Sequence, residues 1–130
     1  MILLDTNICV YVIKARPAAL FERFNAFEPG QLGVSVVTAM ELRVGALRAA
    51  HAHVAARVEA LLTRLTVHAL SSEVVEPFAQ LKTRLMAQGE MIGPFDLLIA
   101  AHALSLGATL VTNNRREFDR VPGLPVENWP

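Results

Sequence analysis

Three acidic residues of this chain lie in apolar sequence, where a carboxylate is unusual. Asp5 follows the run MILL, Glu41 lies within VSVVTAMELRVGA, and Asp96 lies within IGPFDLLIAAHAL. Most acidic side chains stay on solvated surfaces, so these three positions need an explanation. One explanation is local, because each residue stands near the predicted start of a helix, where a carboxylate accepts hydrogen bonds from free backbone amides. The other is that the three carboxylates form one site.

A shared acidic site has an electrostatic consequence. Two carboxylates about 4 Å apart, at an effective dielectric constant near 20, repel by roughly 4 kcal/mol, which corresponds to about 3 pKa units. Such a cluster either retains a proton or binds a cation. Oxygen ligands without a histidine or cysteine in the same motifs favour Mg²⁺ or Mn²⁺ over Zn²⁺. Water activated by such a cation is the usual nucleophile of metal-dependent hydrolysis.

The elements that must position these acids follow from an alternation of short apolar runs with helical patterns. Residues 2–4, 32–37, 66–70 and 108–112 are predicted strands, and a helix start follows each of them. This alternation predicts right-handed crossovers and a parallel sheet with helices on both faces. We therefore expect one α/β domain over residues 1–130, a three-layer α/β/α sandwich around a short parallel sheet of four to five strands.

The helix starts place two of the acids at one edge of this sheet. Thr38 and Glu41 have the S/T-x-x-E spacing of a capping box, which predicts that a helix begins at Thr38. Asp96 is predicted to cap a helix that ends before Gly107. The carboxyl ends of parallel strands share an edge, so Asp5 and Glu41 should converge there. Periodicity alone does not bring Asp96 to that edge. The tail after residue 118 is expected to be loop.

Composition excludes several classes of protein. Twelve basic and twelve acidic residues give a net charge of zero, so bulk charge does not hold a polyanion, and nucleic acid must meet a local patch. No apolar stretch reaches the roughly 18 residues of a membrane span. Cys9 is the only cysteine, cannot form an internal disulfide, and is expected to be buried. With neither a basic leader nor a signal-length hydrophobic stretch, we expect a cytoplasmic protein.

Three segments carry a resemblance to a known family. LLDTN at residues 3–7, TAMELRVGA at 38–46 and the long block at 92–129 resemble the PIN-domain ribonuclease toxins of VapC type, and the similarity covers nearly the whole chain. The resemblance implies a PIN fold and an RNA endonuclease that uses Mg²⁺ or Mn²⁺. It also implies a cognate antitoxin that holds the enzyme inactive, a homodimer, and a toxin–antitoxin hetero-oligomer.

The same resemblance assigns the site residues. It makes Asp5, Glu41 and Asp96 the metal-binding carboxylates. Many PIN domains place a further aspartate after the fourth strand, but this chain has Asn113-Asn114 there, and an amide adds no charge. Among the groups that could replace the missing acid, we favour Glu117 over Asn114, and Asn114 over Asp119. The predicted catalytic set is therefore Asp5, Glu41, Asp96, Glu117 and Asn114.

The expected reaction is in-line attack of a water on an RNA phosphodiester, which leaves a 5′-phosphate and a 3′-hydroxyl. Loss of either aspartate in Asp5→Ala or Asp96→Ala should abolish cleavage and leave the fold intact. The family favours structured RNA, with tRNA first. Candidate phosphate contacts are the basic residues near the motifs, namely Lys14, Arg43, Arg48, Arg115, Arg116 and Arg120.

Two other functions compete with this interpretation. A receiver-type signalling domain also has an acidic Mg²⁺ pocket, but by resemblance it needs an aspartate after the third strand and a later lysine. Residues 66–70 contain no aspartate, and no lysine follows Lys82. The stronger rival is a PIN scaffold that has lost catalysis and only binds RNA or protein, because Asn114 stands where an acid is expected.

Overall fold

The predicted alternation of strands and helices is present along the whole chain, all 130 residues of which the computed structural model describes. The strands are β1 (Ile2–Leu4), β2 (Leu32–Ser35), β3 (Thr66–His68), β4 (Thr109–Val111) and β5 (Val126–Glu127). The helices are α1 (Thr6–Lys14), α2 (Ala18–Asn25), α3 (Val36–Arg48), α4 (Ala52–Arg64), α5 (Val75–Gln88), α6 (Pro94–Leu106) and α7 (Arg115–Phe118), with a 3₁₀ turn at Ser72–Val74. The fifth strand lies in the tail, where the prediction of loop was wrong.

The sheet is parallel throughout, and its strand order creates a crevice at β1. The order is β3-β2-β1-β4-β5, so the chain moves outward from β1 to β3 and then returns to the other side of β1 as β4. In open parallel sheets, such a reversal opens a ligand crevice beyond the carboxyl ends of the two flanking strands. Asp5 directly follows β1, and Thr112 directly follows β4.

Apolar cores on both faces of the sheet confirm the three layers. Successive strand residues point to opposite faces. Leu3 and Leu110 pack into a core with α5 and α6, whereas Leu4 and Val111 pack into a second core with α1, α2 and α4. Cys9 is fully buried in the second core, as expected, and burial raises the pKa of its thiol. The thiol is therefore an inert part of the packing.

The predicted capping box of α3 was wrong. The helix begins at Val36, and its N-cap is Ser35, whose Oγ accepts a hydrogen bond from the Val37 N–H at 3.1 Å. Thr38 is already inside the first turn of the helix. Because Ser35 supplies the cap, Glu41 is not needed to close the helix end, and its carboxylate makes a different contact.

The start of α6 also differs from the prediction. The helix begins at Pro94, a residue that suits the first helical position because the N–H it lacks has no partner there. Asp96 therefore lies in the first turn and is not the N-cap, a position that Gly93 holds. The helix ends as predicted at Gly107, in the left-handed conformation with φ of 63°. Although α6 is mostly apolar, none of the helices is long and apolar enough to span a membrane.

Candidate acidic metal site

Asp5 is the buried centre of the candidate site, with an exposed fraction of 2 %. Its Oδ1 accepts a hydrogen bond from the Ile8 N–H at 2.8 Å and so caps α1. Its Oδ2 accepts a hydrogen bond from the Thr112 hydroxyl at 2.5 Å, which ties the end of β1 to the end of β4. Burial raises the pKa of Asp5, although these hydrogen bonds act in the opposite direction. The capping explanation thus accounts for one oxygen of this carboxylate.

Glu41 reaches the same edge of the sheet from α3. The hydroxyl of Thr6, the residue next to Asp5, donates a hydrogen bond to Glu41 Oε1 at 2.6 Å. The same hydroxyl oxygen lies 3.2 Å from Thr38 Oγ1, on the first turn of α3. The negative charge of Glu41 contributes to the raised pKa of Asp5. Asp5 and Glu41 therefore converge, as the strand order requires.

Asp96 completes the cluster together with Glu117. Burial first, then a hydrogen bond to Glu117 and its charge, raise the pKa of the Asp96 carboxyl to about 7. The charges of Asp5 and Glu41 raise that pKa further. The Asp96 carboxylate is therefore close enough to the other three to be repelled by them, and near neutral pH Asp96 is protonated for part of the time.

Asn114, which stands where many PIN domains have an acid, links two parts of the cluster. Its side-chain Nδ2 donates a hydrogen bond to Glu117 Oε2 at 3.1 Å, and its backbone N–H donates to Thr112 Oγ1 at 2.9 Å. Because the Thr112 hydroxyl donates in turn to Asp5, a chain of hydrogen bonds runs from Asp5 to Glu117. Asn114 is thus a donor that orients an acid and supplies no charge of its own.

The cluster has the chemistry of a hard divalent cation site. None of its four carboxylates forms an ion pair, since the ion pairs of the chain are Arg23–Glu127, Arg43–Glu59 and Arg115–Asp119. The metal ligands that the cluster offers are carboxylate oxygens, which suit Mg²⁺ or Mn²⁺. No group of three acidic, histidine or cysteine side chains is already arranged closely enough to hold a metal ion. Neutral hydrogen-bond donors hold three of the carboxylates: the Ile8 amide and Thr112 hold Asp5, Thr6 holds Glu41, and Asn114 holds Glu117.

A buried histidine connects the helices that carry Asp96 and Glu41. His102 of α6 is 1 % exposed, and its Nδ1 lies 2.7 Å from Oγ of Ser35, the N-cap of α3. Burial lowers the pKa of His102, and the charge of His68 adds to this effect. The lowered pKa favours the neutral form of His102, which links α6 to the start of α3.

Some of the basic side chains that were predicted to contact phosphates are bound to other protein groups, and others are not. Three are engaged within the protein, with Arg43 against Glu59 at 3.7 Å, Arg115 against Asp119 at 3.5 Å and Arg120 on the Met91 carbonyl at 3.0 Å. This pairing also places Asp119 outside the acidic cluster. The remaining three, which form no ion pair, are Lys14, Arg48 and Arg116.

Sequence reasoning missed two polar residues beside the cluster, His53 and Arg57. Both lie on α4 and line the same channel as Lys14, Thr6 and Glu41. Their spacing of four residues puts them on one helix face. That spacing was visible in the sequence, but nothing in the sequence showed that this face of α4 meets α1 beside Glu41.

The fold is that of a PIN domain. The profile of the PIN domain family matches residues 2–124. The chain is 42 % identical over 128 residues to the tRNA(fMet)-specific endonuclease VapC of Shigella flexneri, and 44 % identical over 128 residues to Ribonuclease VapC2 of Haemophilus influenzae. Each of these alignments covers 98 % of this chain and 96 % of the relative.

Solved structures agree with these relatives. A crystal structure of VapBC2 from Rickettsia felis bound to a DNA fragment from their promoter superposes with a TM-score of 0.92 at 34 % identity and covers all of both chains. DNA-bound VapBC from Salmonella typhimurium also gives a TM-score of 0.92, at 38 % identity, and covers 99 % of this chain and 98 % of that one. The chain therefore belongs to the PIN-domain family, in its branch of VapC-type ribonuclease toxins.

Proposed function

We propose that this chain is an endoribonuclease that needs Mg²⁺ or Mn²⁺, and that Asp5, Asp96 and Glu41 bind the cation. The observation that carries the proposal is the convergence of carboxylates without a basic partner at the crevice of the sheet, where the pKa of Asp96 is raised to about 7. Repulsion of this kind is relieved by a divalent cation, and the oxygen donors match the preference of these two metals.

The residues around the cluster have distinct roles in this proposal. Thr112 and the Ile8 amide hold both oxygens of Asp5, and Thr6 holds Glu41, so the carboxylates are oriented before RNA arrives. Glu117, oriented by Asn114, is the fourth acid and the group that accepts a proton from the attacking water. When bound, the cation lowers the pKa of a water and polarises the phosphoryl oxygens. The products are a 5′-phosphate and a 3′-hydroxyl.

We further propose that the substrate is a tRNA and that the site of action is the cytoplasm, where tRNA is found. Similarity to a tRNA(fMet)-specific endonuclease over nearly the whole chain supports this choice. The regulatory partner is a cognate antitoxin, as in the toxin–antitoxin complexes among the similar structures. An apolar groove of about 400 Å³ between α1, α2 and α4, lined by Phe21, Phe24 and Leu61, is the surface that we assign to an antitoxin helix.

The first prediction tests metal dependence and product chemistry together. Purified protein free of antitoxin should cleave total tRNA in Mn²⁺ or Mg²⁺, and EDTA should stop the reaction. Ligation-based mapping should find 5′-phosphate ends at the cleavage sites. Mn²⁺ should also raise the melting temperature of the protein, because a cation that binds only the folded state stabilises it. Absence of both EDTA-sensitive cleavage and Mn²⁺ stabilisation would instead favour the rival function, a scaffold that only binds.

We also propose that two copies associate through an exposed apolar stripe on α3. Met40, Val44 and Leu47 lie on one helix face at spacings of four and three residues, with exposed fractions of 52 %, 54 % and 71 %. Phe95, 54 % exposed, shares a pocket with Met40 and Val44. A patch of this kind is typical of a surface that a partner covers.

The second prediction is that Val44→Asp converts a dimer to a monomer in sedimentation equilibrium. A monomeric unmodified protein would contradict it.

A further inference from the structure

An open channel of about 350 Å³ runs from the acidic cluster along α1. Thr6 and Glu41 line the channel where α1 begins, and Lys14 lines it where α1 ends. The guanidinium of Arg57, from α4, donates a hydrogen bond to the Ile13 carbonyl at 3.4 Å, which places it at the Lys14 end. The channel is therefore acidic at one end and basic at the other.

The two basic side chains of the channel are available to an anionic ligand. Neither Lys14 nor Arg57 takes part in an ion pair, although the chain has as many acidic as basic residues. Both side chains are exposed, and the only protein hydrogen bond of the Arg57 side chain is the long one to Ile13. An unneutralised pair of cations beside a cavity favours a ligand with negative charge at this point.

The remaining walls of the channel narrow the class of ligand. Between the acidic and basic ends the lining includes the apolar side chains Val10, Ile13, Val54 and Val58, and His53 adds an exposed imidazole. A ligand that suits these walls has flat apolar groups along an anionic backbone, which is the description of an RNA strand. A purely apolar peptide would leave the two cations without partners.

The length of α1 relates the basic end to the acidic cluster. Thr6 and Lys14 are separated by about 12 Å, at a rise of 1.5 Å per residue. A nucleic-acid strand advances about 3.4 Å per phosphate in helical geometry, so this separation corresponds to about three phosphates.

We infer that this channel is a subsite for the RNA strand that flanks the cleaved bond, with Lys14 and Arg57 binding phosphates about three nucleotides from the reacting phosphodiester. The inference rests on the proposed ribonuclease function of the acidic cluster. It makes Lys14 and Arg57 substrate-binding residues that act on KM and leave the metal site unchanged.

The test compares two double variants that each remove one lysine and one arginine. Lys14→Ala/Arg57→Ala empties the basic end of the channel, and Lys82→Ala/Arg84→Ala removes the same charge from α5, on the other face of the sheet. Binding of fluorescent tRNA is measured with each pair placed in the non-cleaving Asp96→Asn background, over a range of salt concentrations. Cleavage kinetics and Mn²⁺ stabilisation are measured in the otherwise unmodified protein.

The channel variant should bind tRNA on the order of tenfold more weakly, raise KM and change kcat little. The slope of log affinity against log salt should fall by about 1.4, since each lost contact with a single strand removes about 0.7. The α5 variant should match the parent in each measurement, and Lys14→Arg/Arg57→Lys should restore binding. Mn²⁺ stabilisation should be the same in all of them.

Equal tRNA affinity in the channel and α5 variants overturns the inference. Normal tRNA binding by the channel variant overturns it whatever the effect on antitoxin binding, because Lys14 and Arg57 also line the groove assigned to the antitoxin helix. Failure of the proposed function has a different signature, in which the unmodified protein shows no metal-dependent cleavage at all.

Discussion

Replacing Asp96 with asparagine should abolish RNA cleavage and, at the same time, make the metal-free protein more stable at pH 8. The activity should fall by about a thousandfold or more, which corresponds to roughly 4 kcal/mol of lost transition-state stabilisation. The stability should rise because the ionised form of Asp96 is unfavourable in the folded cluster. An asparagine amide donates to Glu117 as the protonated carboxyl does, without adding a charge.

The direction of the stability change follows from the pKa. Folding moves the pKa of Asp96 from 3.8 to about 7, so the folded protein binds more protons than the unfolded chain between these values. The contribution of Asp96 to stability is therefore greatest below pH 4 and declines as the pH rises to about 7. Because Asp96 is partly exposed and water screens its charge, we expect a gain of about 1 to 2 kcal/mol for Asp96→Asn at pH 8.

Thermal melts at several pH values, with EDTA or with Mn²⁺, measure this effect. The stability advantage of Asp96→Asn should shrink as the pH falls toward 4, and Mn²⁺ should stabilise the unmodified protein more than the variant. Asp119→Asn is the matched control, because Asp119 pairs with Arg115 outside the cluster and is exposed. Equal melting temperatures of Asp96→Asn and the unmodified protein at pH 8, or retained cleavage, would contradict the argument.

The approach of Asp96 to Asp5 marks the limit of what local sequence could predict. Strand order alone places Asp5 and the residues after β2 at one edge, because parallel strands end on the same side. Asp96 reaches that edge by the packing of α6 on the sheet, which is a tertiary contact without a periodic signal. Only the resemblance to a family indicated it, and the structure adds that Glu117 lies close enough to raise the pKa of Asp96.

The errors in the predicted elements have local causes. Ser35 and Thr38 are both good N-cap residues three positions apart, and the capping-box spacing from Thr38 to Glu41 favoured the wrong one. In the structure, the same spacing places Thr38 and Glu41 on one side of α3, where the Thr6 hydroxyl donates to Glu41 and lies beside Thr38. The two residues of β5 follow Pro125, where proline content indicated loop, and pairing with β4 makes them a strand.

The basic end of the channel could not be predicted for a similar reason. Lys14 was one of six basic candidates with nothing in the sequence to rank them, and Arg57 was not among them. Whether a basic side chain is free to bind RNA depends on whether a carboxylate lies close enough to pair with it. Arg43 is paired with Glu59, whereas Arg57 has no acidic partner. Contacts between distant residues decide this, and periodicity does not report them.

Asp5 should behave differently from Asp96, because Asp5 has a structural role as well as the catalytic one that we propose for it. Asp5→Asn should abolish cleavage and keep a stability close to that of the unmodified protein. The asparagine Oδ1 can still accept from the Ile8 N–H, and its amide can donate to the Thr112 oxygen. Asp5→Ala should lose both contacts. Loss of the cap costs about 1 kcal/mol of stability, and leaving the buried Thr112 hydroxyl unpaired costs about 1 to 3 kcal/mol. Removal of the unfavourable buried carboxylate offsets part of this cost. The net loss of stability is therefore about 2 kcal/mol.

Denaturant unfolding and cleavage assays on both variants separate the two roles of Asp5. Ser71→Ala is the control for a lost cap, since Ser71 Oγ accepts from the Glu73 N–H and has no hydrogen bond to the cluster, so its loss should lower stability without affecting cleavage. From the sequence alone we expected Asp5→Ala to leave the fold intact. The hydrogen bonds of Asp5 instead predict a folded but less stable protein. If Asp5→Ala proves as stable as Asp5→Asn, the carboxylate does not hold β1 to β4. If Asp5→Asn cleaves RNA normally, the acid is a cap and the site must lie elsewhere.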